Sequence, residues 1–333
     1  MISIPRRMQA AFIDRLGAAS EIRIGELPVP ALSADEVLVR IEAVAVDPVD
    51  VFVRSGAYPT DLPFPFVLGR DLAGTVTALG SEAVGFAVGD RVWANSMGHA
   101  GRQGASAQYA AVPAERLYPI PAGMDAVPLV ASVHAAATAF LALHTHAQLR
   151  PGETVFIAGA AGNVGRAAVQ IAVDAGARVV ATASASDLDL VRTLGAAVAI
   201  DYRDPLLTER LRGALPGGAD VHLDTSGHHD LERAVALLAA RGRIVLMAGL
   251  ATRPVLPVGA LYTRDGSILG FAISSATVAE LADAAAAINR MLALGALTPP
   301  RIEELPLSAA PSAHARIEAG ELHGVKLVLR PPA

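Results

Sequence analysis

The chain of 333 residues contains no cysteine. Disulfide bonds, iron–sulfur clusters, zinc sites built on thiolates and a cysteine nucleophile are therefore all excluded. Lysine is nearly absent too, because Lys326 is the only one among the 27 basic residues. The formal net charge of −5 offers no basic surface of the kind that binds nucleic acid or anionic membranes, so neither is expected as a partner.

Membrane and secretion signals are also not expected in this sequence. We expect no spanning helix, on the view that apolar runs of sufficient length are broken by charges or by repeated glycine and proline. The N-terminus lacks the continuous apolar stretch of a secretory signal, so a cytoplasmic location is the default expectation. With 53% hydrophobic residues, a chain of this length can bury two cores, which predicts two domains.

Hydrophobic periodicity divides the chain into a β-rich first part and an alternating second part. Up to about residue 125 the pattern predicts short strands near 37–44, 74–80 and 91–94. Beyond it, the predicted strands are 154–158, 178–182, 198–202, 221–224 and 244–247, and the predicted helices are 131–148, 163–175, 187–194, 206–214 and 230–240. This alternation is typical of an α/β fold with a doubly wound parallel sheet. A long helix over 277–294 and a strand over 326–329 complete the pattern.

The most informative motif is a glycine-rich loop between the strand ending at 158 and the helix beginning at 163. Ala160, Gly162 and Gly165 occupy the three positions of G-x-G-x-x-G, with alanine at the first. The second glycine lets the backbone approach a pyrophosphate at the helix N-terminus, and the third permits close helix–strand packing. The motif predicts a Rossmann dinucleotide site; the alternative is a glycine turn with no ligand.

The end of the second predicted strand bears on the type of dinucleotide. NAD sites carry an acidic residue about 20 residues after the loop, which holds the ribose 2′-hydroxyl. Residues 181–186 contain no carboxylate, and small hydroxyl residues such as Ser184 leave room for a 2′-phosphate. We assign Asp187 and Asp189 to the first turn of the next helix, where negative charge is favourable. The expected cofactor is therefore NADPH.

Further motifs recur in a familiar order along nearly the whole chain. They are Val46-Asp47-Pro48-Val49-Asp50, Arg54-Ser55-Gly56-Ala57-Tyr58, Gly69-Arg70-Asp71-Leu72-Ala73-Gly74, Gly89-Asp90-Arg91-Val92, Ala136-Ala137-Thr138-Ala139, Gly242-Arg243-Ile244-Val245 and Lys326-Leu327-Val328-Leu329. With these motifs the chain resembles the zinc-free medium-chain dehydrogenases/reductases, in particular the NADPH:quinone oxidoreductase (zeta-crystallin-like) branch. The resemblance implies a GroES-like β-rich catalytic domain formed by residues 1–125 and 271–333, and a Rossmann domain over 126–270.

The resemblance also implies a set of site residues. Those expected to line the cofactor are Thr138, Ala160, Gly162, Asn163, Val164, Gly165, Ser184, Tyr202, Ser226, Gly249, Phe271 and Lys326. Tyr58 and Asp47 are the candidate catalytic residues, facing the nicotinamide and the substrate. No metal is expected, because Arg70-Asp71 replaces the His-Glu of the zinc alcohol dehydrogenases.

Two further departures from the family pattern concern charge. Asp47 stands where the family usually has asparagine. The basic residue that normally follows Ser184 is missing, and Arg192 or Arg203 is the alternative cation for a 2′-phosphate.

Several of these residues have a purely structural alternative. Tyr58 is either a donor to a substrate carbonyl or a packing tyrosine. Asp47 is either a general acid or ribose ligand, or an Asp-Pro turn residue. Lys326 either reaches the cofactor or simply flanks a strand, and His99 either overhangs the pocket or is a solvated loop histidine.

The function implied by the resemblance is hydride transfer from NADPH to a quinone or a conjugated enone, by a homodimer. The apolar, strand-like residues 266–273 are the expected dimer edge. One alternative is a reductase of enoyl thioesters, which would require basic residues for the phosphates of the substrate. The other is a non-catalytic NADPH-binding protein.

Overall fold

The computed structural model describes residues 4–332, which divide into two compact units. One unit comprises the residues up to His134 together with those from Leu281 onward, and the other is Ala135–Glu280. The sequence analysis places these changes near 125/126 and 270/271.

Short strands dominate the N-terminal part of the first unit. Its elements are β1 (Arg7–Ile13), β2 (Arg23–Pro28), β3 (Glu36–Ala45), α1 (Pro48–Ser55), β4 (Phe66–Val67), β5 (Asp71–Leu79), β6 (Arg91–Ala94), β7 (Tyr109–Pro113) and β8 (Tyr118–Pro119). The strands predicted near 37–44, 74–80 and 91–94 are confirmed as β3, β5 and β6. Helix α1 is not among the predicted elements, although Pro48 at its first position is a standard start signal.

The second unit contains the alternating elements. They are α2 (Ala126–Phe140, which begins in the first unit), β9 (Thr154–Ala158), α3 (Asn163–Asp174), β10 (Arg178–Ala183), α4 (Leu188–Thr193), β11 (Val198–Asp201), α5 (Leu207–Ala214), β12 (Ala219–Asp224), α6 (Leu231–Ala236), β13 (Leu238–Leu246), α7 (Val258–Tyr262) and β14 (Ser267–Gly270). The six strands form one parallel sheet in the order β11-β10-β9-β12-β13-β14. This order confirms the doubly wound Rossmann topology, with its switch point between β9 and β12.

The predicted helix over 230–240 differs from the structure. Helix α6 ends at Ala236, and β13 already begins at Leu238, so the predicted helix over 230–240 is too long. The reason is tertiary: Leu238 is buried and pairs with Ala219 of β12, and a short apolar run reads the same in a helix and a strand.

The segment Ala126–His146 corrects the expectation that every long apolar run is broken. It is one helical stretch long and apolar enough to cross a membrane, and it contains a single proline, Pro128, and no glycine, aspartate, glutamate, lysine or arginine. In the structure 89% of its most apolar window is buried inside the protein. Such burial is what a core helix requires, and the segment is therefore weak support for a membrane span.

The C-terminal segment completes the first unit. It contains α8 (Val278–Ala293), β15 (Arg301–Pro306), α9 (Ala310–Glu318) and β16 (Val325–Arg330). Strand β16 pairs antiparallel with β3 in a sheet ordered β15-β16-β3-β5-β6-β8, in which β7 also pairs with β3. The strand predicted at 326–329 thus lies in the middle of the β-rich domain, with Leu327 and Leu329 in its core.

Candidate functional site

Six of the twelve residues predicted to line the cofactor lie at one edge of the parallel sheet. Each follows the carboxyl end of a strand: Ala160 after β9, Ser184 after β10, Tyr202 after β11, Ser226 after β12, Gly249 after β13 and Phe271 after β14. Because the carboxyl ends of parallel strands share an edge, the fold brings these six positions together. Ligands of doubly wound sheets bind at this edge.

The glycine-rich loop has the geometry of an anion cradle. Helix α3 begins at Asn163, and no side chain caps its N-terminus, so the N–H groups of its first turn are available to a phosphate. A Cβ at Gly165 would lie 2.2 Å from the Gly159 carbonyl oxygen and 2.7 Å from the Ala160 Cα, which shows how closely helix and loop pack. Gly162 is exposed, and a Cβ there would meet only the Gly159 oxygen at 3.4 Å.

Asn163 strengthens the match to a bound dinucleotide. Its buried Oδ1 has no hydrogen-bond partner among residues 4–332, although a buried polar atom normally has one. Val164 follows it in the first turn, and the predicted Thr138 is buried on α2. The open helix terminus, the glycine packing and this unpartnered oxygen all fit a dinucleotide at the loop.

The Ser184 hydroxyl has an acidic neighbour that the sequence analysis assigns elsewhere. It is hydrogen-bonded to the Asp187 carboxylate and lies 2.9 Å from the Ser186 Oγ. Asp187 therefore places negative charge where a 2′-phosphate is expected. Burial lowers the pKa of Arg166, whereas the Asp187 carboxylate raises it, so this guanidinium is near enough to Asp187 to interact with it.

Arg166 was missed by sequence reasoning because it lies in the first turn of α3 and not after β10. The two cations considered there are otherwise engaged. Arg192 forms an ion pair of 2.7 Å with Asp189, and the Arg203 guanidinium lies 4.6 Å from the centre of the Tyr202 ring. Because it interacts with Asp187, Arg166 joins Arg192 and Arg203 as a candidate partner of a 2′-phosphate.

The remaining predicted positions on this edge have defined local contacts. The Ser226 N–H and hydroxyl donate to the Asp224 Oδ1 at 2.8 and 2.6 Å. The Phe271 ring stacks on His146 with 4.5 Å between centroids. Gly249 has a φ of +79°, a left-handed conformation that L-residues rarely adopt. These contacts order the loops that follow β12, β13 and β14.

In the first unit, the structure brings Asp47 together with Lys326. Asp47 caps the N-terminus of α1, and its carboxylate forms a buried ion pair with the Lys326 ammonium on β16. The Asp47 N–H donates to the Asp50 carboxylate at 2.8 Å, and Asp71 Oδ1 lies 3.0 Å from the His134 Nδ1. All five side chains are buried. We call Asp47, Asp50 and Asp71 the acidic cluster.

The protonation of the acidic cluster follows from its burial and its cations. Burial alone would raise the pKa of Asp47, but the Lys326 ammonium and His134 lower it to about 2. Burial raises the pKa of Asp71 to about 6, and burial together with the Asp47 charge raises that of Asp50 to about 7. Burial alone would lower the pKa of His134, but the Asp71 and Asp47 carboxylates outweigh burial, so the pKa is raised. The Asp47 carboxylate is thus charged at neutral pH, whereas Asp50 titrates near neutral pH.

The enzymes with zinc in this fold raise the question of a metal. Ligand atoms of Asp47, Asp71 and His134 lie within 4.8 Å of one another, which geometry alone would allow around a cation. However, the Lys326 ammonium is already bonded to Asp47, and a zinc ion would be repelled by it and would compete for the same carboxylate. The residues present do not fit zinc, and the expected absence of a functional metal stays a prediction.

We expect Asp50→Asn to stabilise the protein at pH 8 more than at pH 5. The pKa of Asp50 is raised in the folded state, so the folded state binds more protons than the unfolded state between about pH 4 and pH 7, and stability falls as pH rises through that window. Asparagine removes this titration, and its Oδ1 can still accept from the Asp47 N–H. Urea unfolding midpoints of both proteins at the two pH values measure the difference, and an equal effect at both would contradict it.

Tyr58 and His99 lie side by side in the first unit. Both are half-buried, with ring centroids 6.0 Å apart, and the His99 Nδ1 is 3.0 Å from the Thr60 hydroxyl. Burial, together with the charges of Arg70, Arg102 and Arg116, lowers the pKa of His99 to about 4. His99 is therefore a neutral, hydrogen-bonded residue and not a solvated loop histidine. Nothing in the sequence pattern marks Arg102 and Arg116, because they lie in separate loops.

Comparison with known proteins agrees with this architecture. A family model described as alcohol dehydrogenase GroES-like domain matches residues 33–122, and one described as zinc-binding dehydrogenase matches residues 163–289. The chain is 30% identical to a pig quinone oxidoreductase over 92% of this chain and 93% of that protein. It is 33% identical to a chloroplastic NADPH-dependent alkenal/one oxidoreductase from Arabidopsis thaliana, over 80% and 69%. A mycobacterial structure in complex with NADPH is similar with a TM-score of 0.83 and 29% identity, covering 97% of this chain and all of that one.

Proposed function

We infer the function from the family, because this chain belongs to the zinc-independent quinone oxidoreductase branch of the medium-chain dehydrogenases/reductases. We propose that it reduces a quinone or a conjugated enone with NADPH. The observation that carries the proposal is the open N-terminus of α3 behind the close-packed Gly165, at the carboxyl edge of the parallel sheet. This feature fits the pyrophosphate of a pyridine nucleotide. The enzyme class, an oxidoreductase of this superfamily, follows from the relatives.

Bound NADPH supplies a hydride, and the protein supplies position and hydrogen bonds. Hydride and one proton convert a quinone to a hydroquinone; hydride at the β-carbon and a proton at the α-carbon convert an enone to a saturated ketone. In both reactions the acceptor oxygen gains negative charge as hydride arrives. We assign the Tyr58 hydroxyl the role of stabilising that charge as a donor. Conjugated acceptors suit this site because their anion is delocalised.

The direct test is NADPH oxidation by the purified protein with phenanthrenequinone, a simple enone and crotonyl-CoA in parallel. Turnover with the quinone or the enone supports the proposal. Turnover with crotonyl-CoA alone would favour the enoyl-thioester alternative. No turnover with any acceptor, together with measurable NADPH binding, would favour a non-catalytic role.

We expect Tyr58→Phe to lower kcat by about 100-fold and to leave the Kd for NADPH unchanged. General acid and hydrogen-bond assistance contributes on this order, and the hydroxyl is the only group removed. Steady-state kinetics and nicotinamide fluorescence measure the two quantities. Tyr262→Phe is the matched control, because that tyrosine is exposed on α7 in the other unit. An unchanged kcat in Tyr58→Phe would make Tyr58 a packing residue.

We expect NADPH to bind more tightly than NADH, by a modest margin. The strand end offers small hydroxyl residues to a 2′-phosphate, but the Asp187 carboxylate on Ser184 opposes it. Asp187→Asn should therefore widen the preference by about 10-fold, since it removes that repulsion without changing the side-chain shape. Fluorescence titration of both cofactors measures this, with Asp265→Asn, at an exposed aspartate of the same unit, as the control. Equal or reversed wild-type affinities would mean that Asp187 holds the ribose hydroxyls.

We also propose that the protein is a cytoplasmic homodimer without nucleic-acid or membrane partners. Strand β14 is an edge strand of the parallel sheet, and exposed large hydrophobic residues precede it: Leu250, Val255, Leu256, Val258 and Tyr262. An uncovered apolar edge of this kind favours pairing with a second copy. Light scattering measures the mass in solution, and a monomer at micromolar concentration would overturn the dimer.

A further inference from the structure

Two arginines of the first unit, Arg102 and Arg116, both contact Ser96. The Arg102 Nε and Nη2 donate to the Ser96 carbonyl oxygen at 3.3 and 3.1 Å, and the Arg116 Nη1 lies 3.5 Å from the Ser96 Oγ. Both side chains are half-buried. Among residues 4–332, neither guanidinium forms an ion pair with an aspartate or glutamate.

The charges around these arginines leave a local positive excess. Burial lowers the pKa of Arg102, and so do the neighbouring Arg116 and Arg70 charges, against only the exposed Glu115. Arg70 also interacts favourably with the acidic cluster, so its own charge is compensated. Arg102 and Arg116 have no comparable compensation. Guanidinium groups held close together and partly out of water favour the binding of an anion, which offsets their repulsion.

His99 adds a hydrogen-bond donor beside the two arginines. The Thr60 Oγ1 accepts from the Ala100 N–H at 3.0 Å and lies 3.0 Å from the His99 Nδ1. In the tautomer in which the Thr60 hydroxyl donates to Nδ1, the imidazole carries its proton on Nε2. No hydrogen-bond partner of that Nε2–H is found in the part of the chain that the structure describes.

We propose that Arg102, Arg116 and the His99 Nε2–H form a binding site for an anionic oxygen group, a carboxylate or a phosphate, on the electron acceptor. The inference rests on the proposed function, because the neighbouring Tyr58 is the residue assigned to the acceptor oxygen. Arginine matches both anions, since its planar fork donates two parallel hydrogen bonds to them. The substrate class is then an enone or enoyl thioester that carries an anion, in preference to a neutral quinone.

Matched pairs of acceptors test the proposal. The carboxylate arm compares trans-4-oxo-2-pentenoate with its methyl ester, and the phosphate arm compares crotonyl-CoA with S-crotonyl-N-acetylcysteamine. We expect wild-type kcat/KM to favour the anionic member of one pair. Arg102→Gln and Arg116→Gln should each lower that anionic-to-neutral ratio by about 10-fold to 100-fold, whereas Arg102→Lys should lower it less. Arg6→Gln, at an exposed arginine of the same unit, is the control.

The outcomes separate the anion site from the proposed function. A ratio near one for both pairs in the wild type, or a ratio unaffected by both glutamine variants, overturns the site even if the enzyme is active. If no acceptor is reduced, calorimetric binding of 4-oxopentanoate and of coenzyme A decides instead. Binding that falls by about 10-fold or more in Arg102→Gln and Arg116→Gln supports the site while the proposed function fails, and binding independent of both arginines rejects the site.

Discussion

Gly165→Val is expected to weaken NADPH binding by at least about 100-fold. A Cβ at this position would lie 2.2 Å from the Gly159 carbonyl oxygen, so even the first carbon of the new side chain must push helix α3 off the loop. The N–H groups and the dipole at the start of α3 act only over the first turn. A displacement of about an ångström can therefore cost on the order of 100-fold where geometry governs binding. Fluorescence titration with NADPH gives the Kd.

Two further variants distinguish a lost ligand site from a lost fold. Gly213→Val lies on α5 in the same unit, where a Cβ meets nothing within 4 Å, and it should bind NADPH normally. Gly162→Val has room within the protein, because its Cβ makes only ordinary contact with the Gly159 oxygen at 3.4 Å. It should fold and still bind NADPH poorly, since the side chain occupies the surface that a pyrophosphate approaches. Normal binding in a folded Gly165→Val or Gly162→Val protein would disprove the dinucleotide site.

The Rossmann unit could be predicted from the sequence because its signals are local. The apolar run that forms β9, the glycines of the loop and the helix after them follow one another directly between Thr154 and Asp174. The order of the strands then follows from general rules for parallel sheets, and with it the common edge that Ser184 and Ser226 share. Each strand and helix of this unit shows its own hydrophobic periodicity in the sequence, so the elements can be predicted one by one.

The charged interior of the first unit could not be predicted in the same way. Asp47 and Lys326 are 279 residues apart, and only the pairing of β16 with β3 joins them. From the sequence, both residues were interpreted as separate functional candidates. Likewise, Arg102 and Arg116 meet at Ser96 from different loops, and no spacing rule connects loop residues. Burial and partners decide what such residues do, and both are tertiary properties.

Lys326→Met is expected to lower the free energy of unfolding by about 3–5 kcal/mol, the usual cost of removing one member of a buried ion pair. The ammonium is the direct partner of Asp47 and also offsets the charge of Asp71, and both carboxyls are buried. Without it, the desolvated Asp47 carboxylate has no ammonium, and its pKa should rise. Chemical denaturation followed by circular dichroism measures the loss of stability.

The pH dependence and a second substitution show whether the loss comes from the ion pair. The difference in the free energy of unfolding between the wild type and Lys326→Met should be complete above about pH 4. It should vanish as pH falls toward 2, because the folded-state pKa of Asp47 is lowered to about 2. Asp47→Asn combined with Lys326→Met should be more stable than Lys326→Met alone, since no buried charge is then left unpaired. Arg316→Met, which breaks the exposed pair with Glu303, should change stability far less. If Lys326→Met were as stable as the wild type, Lys326 would have to be held for a ligand and not for the fold.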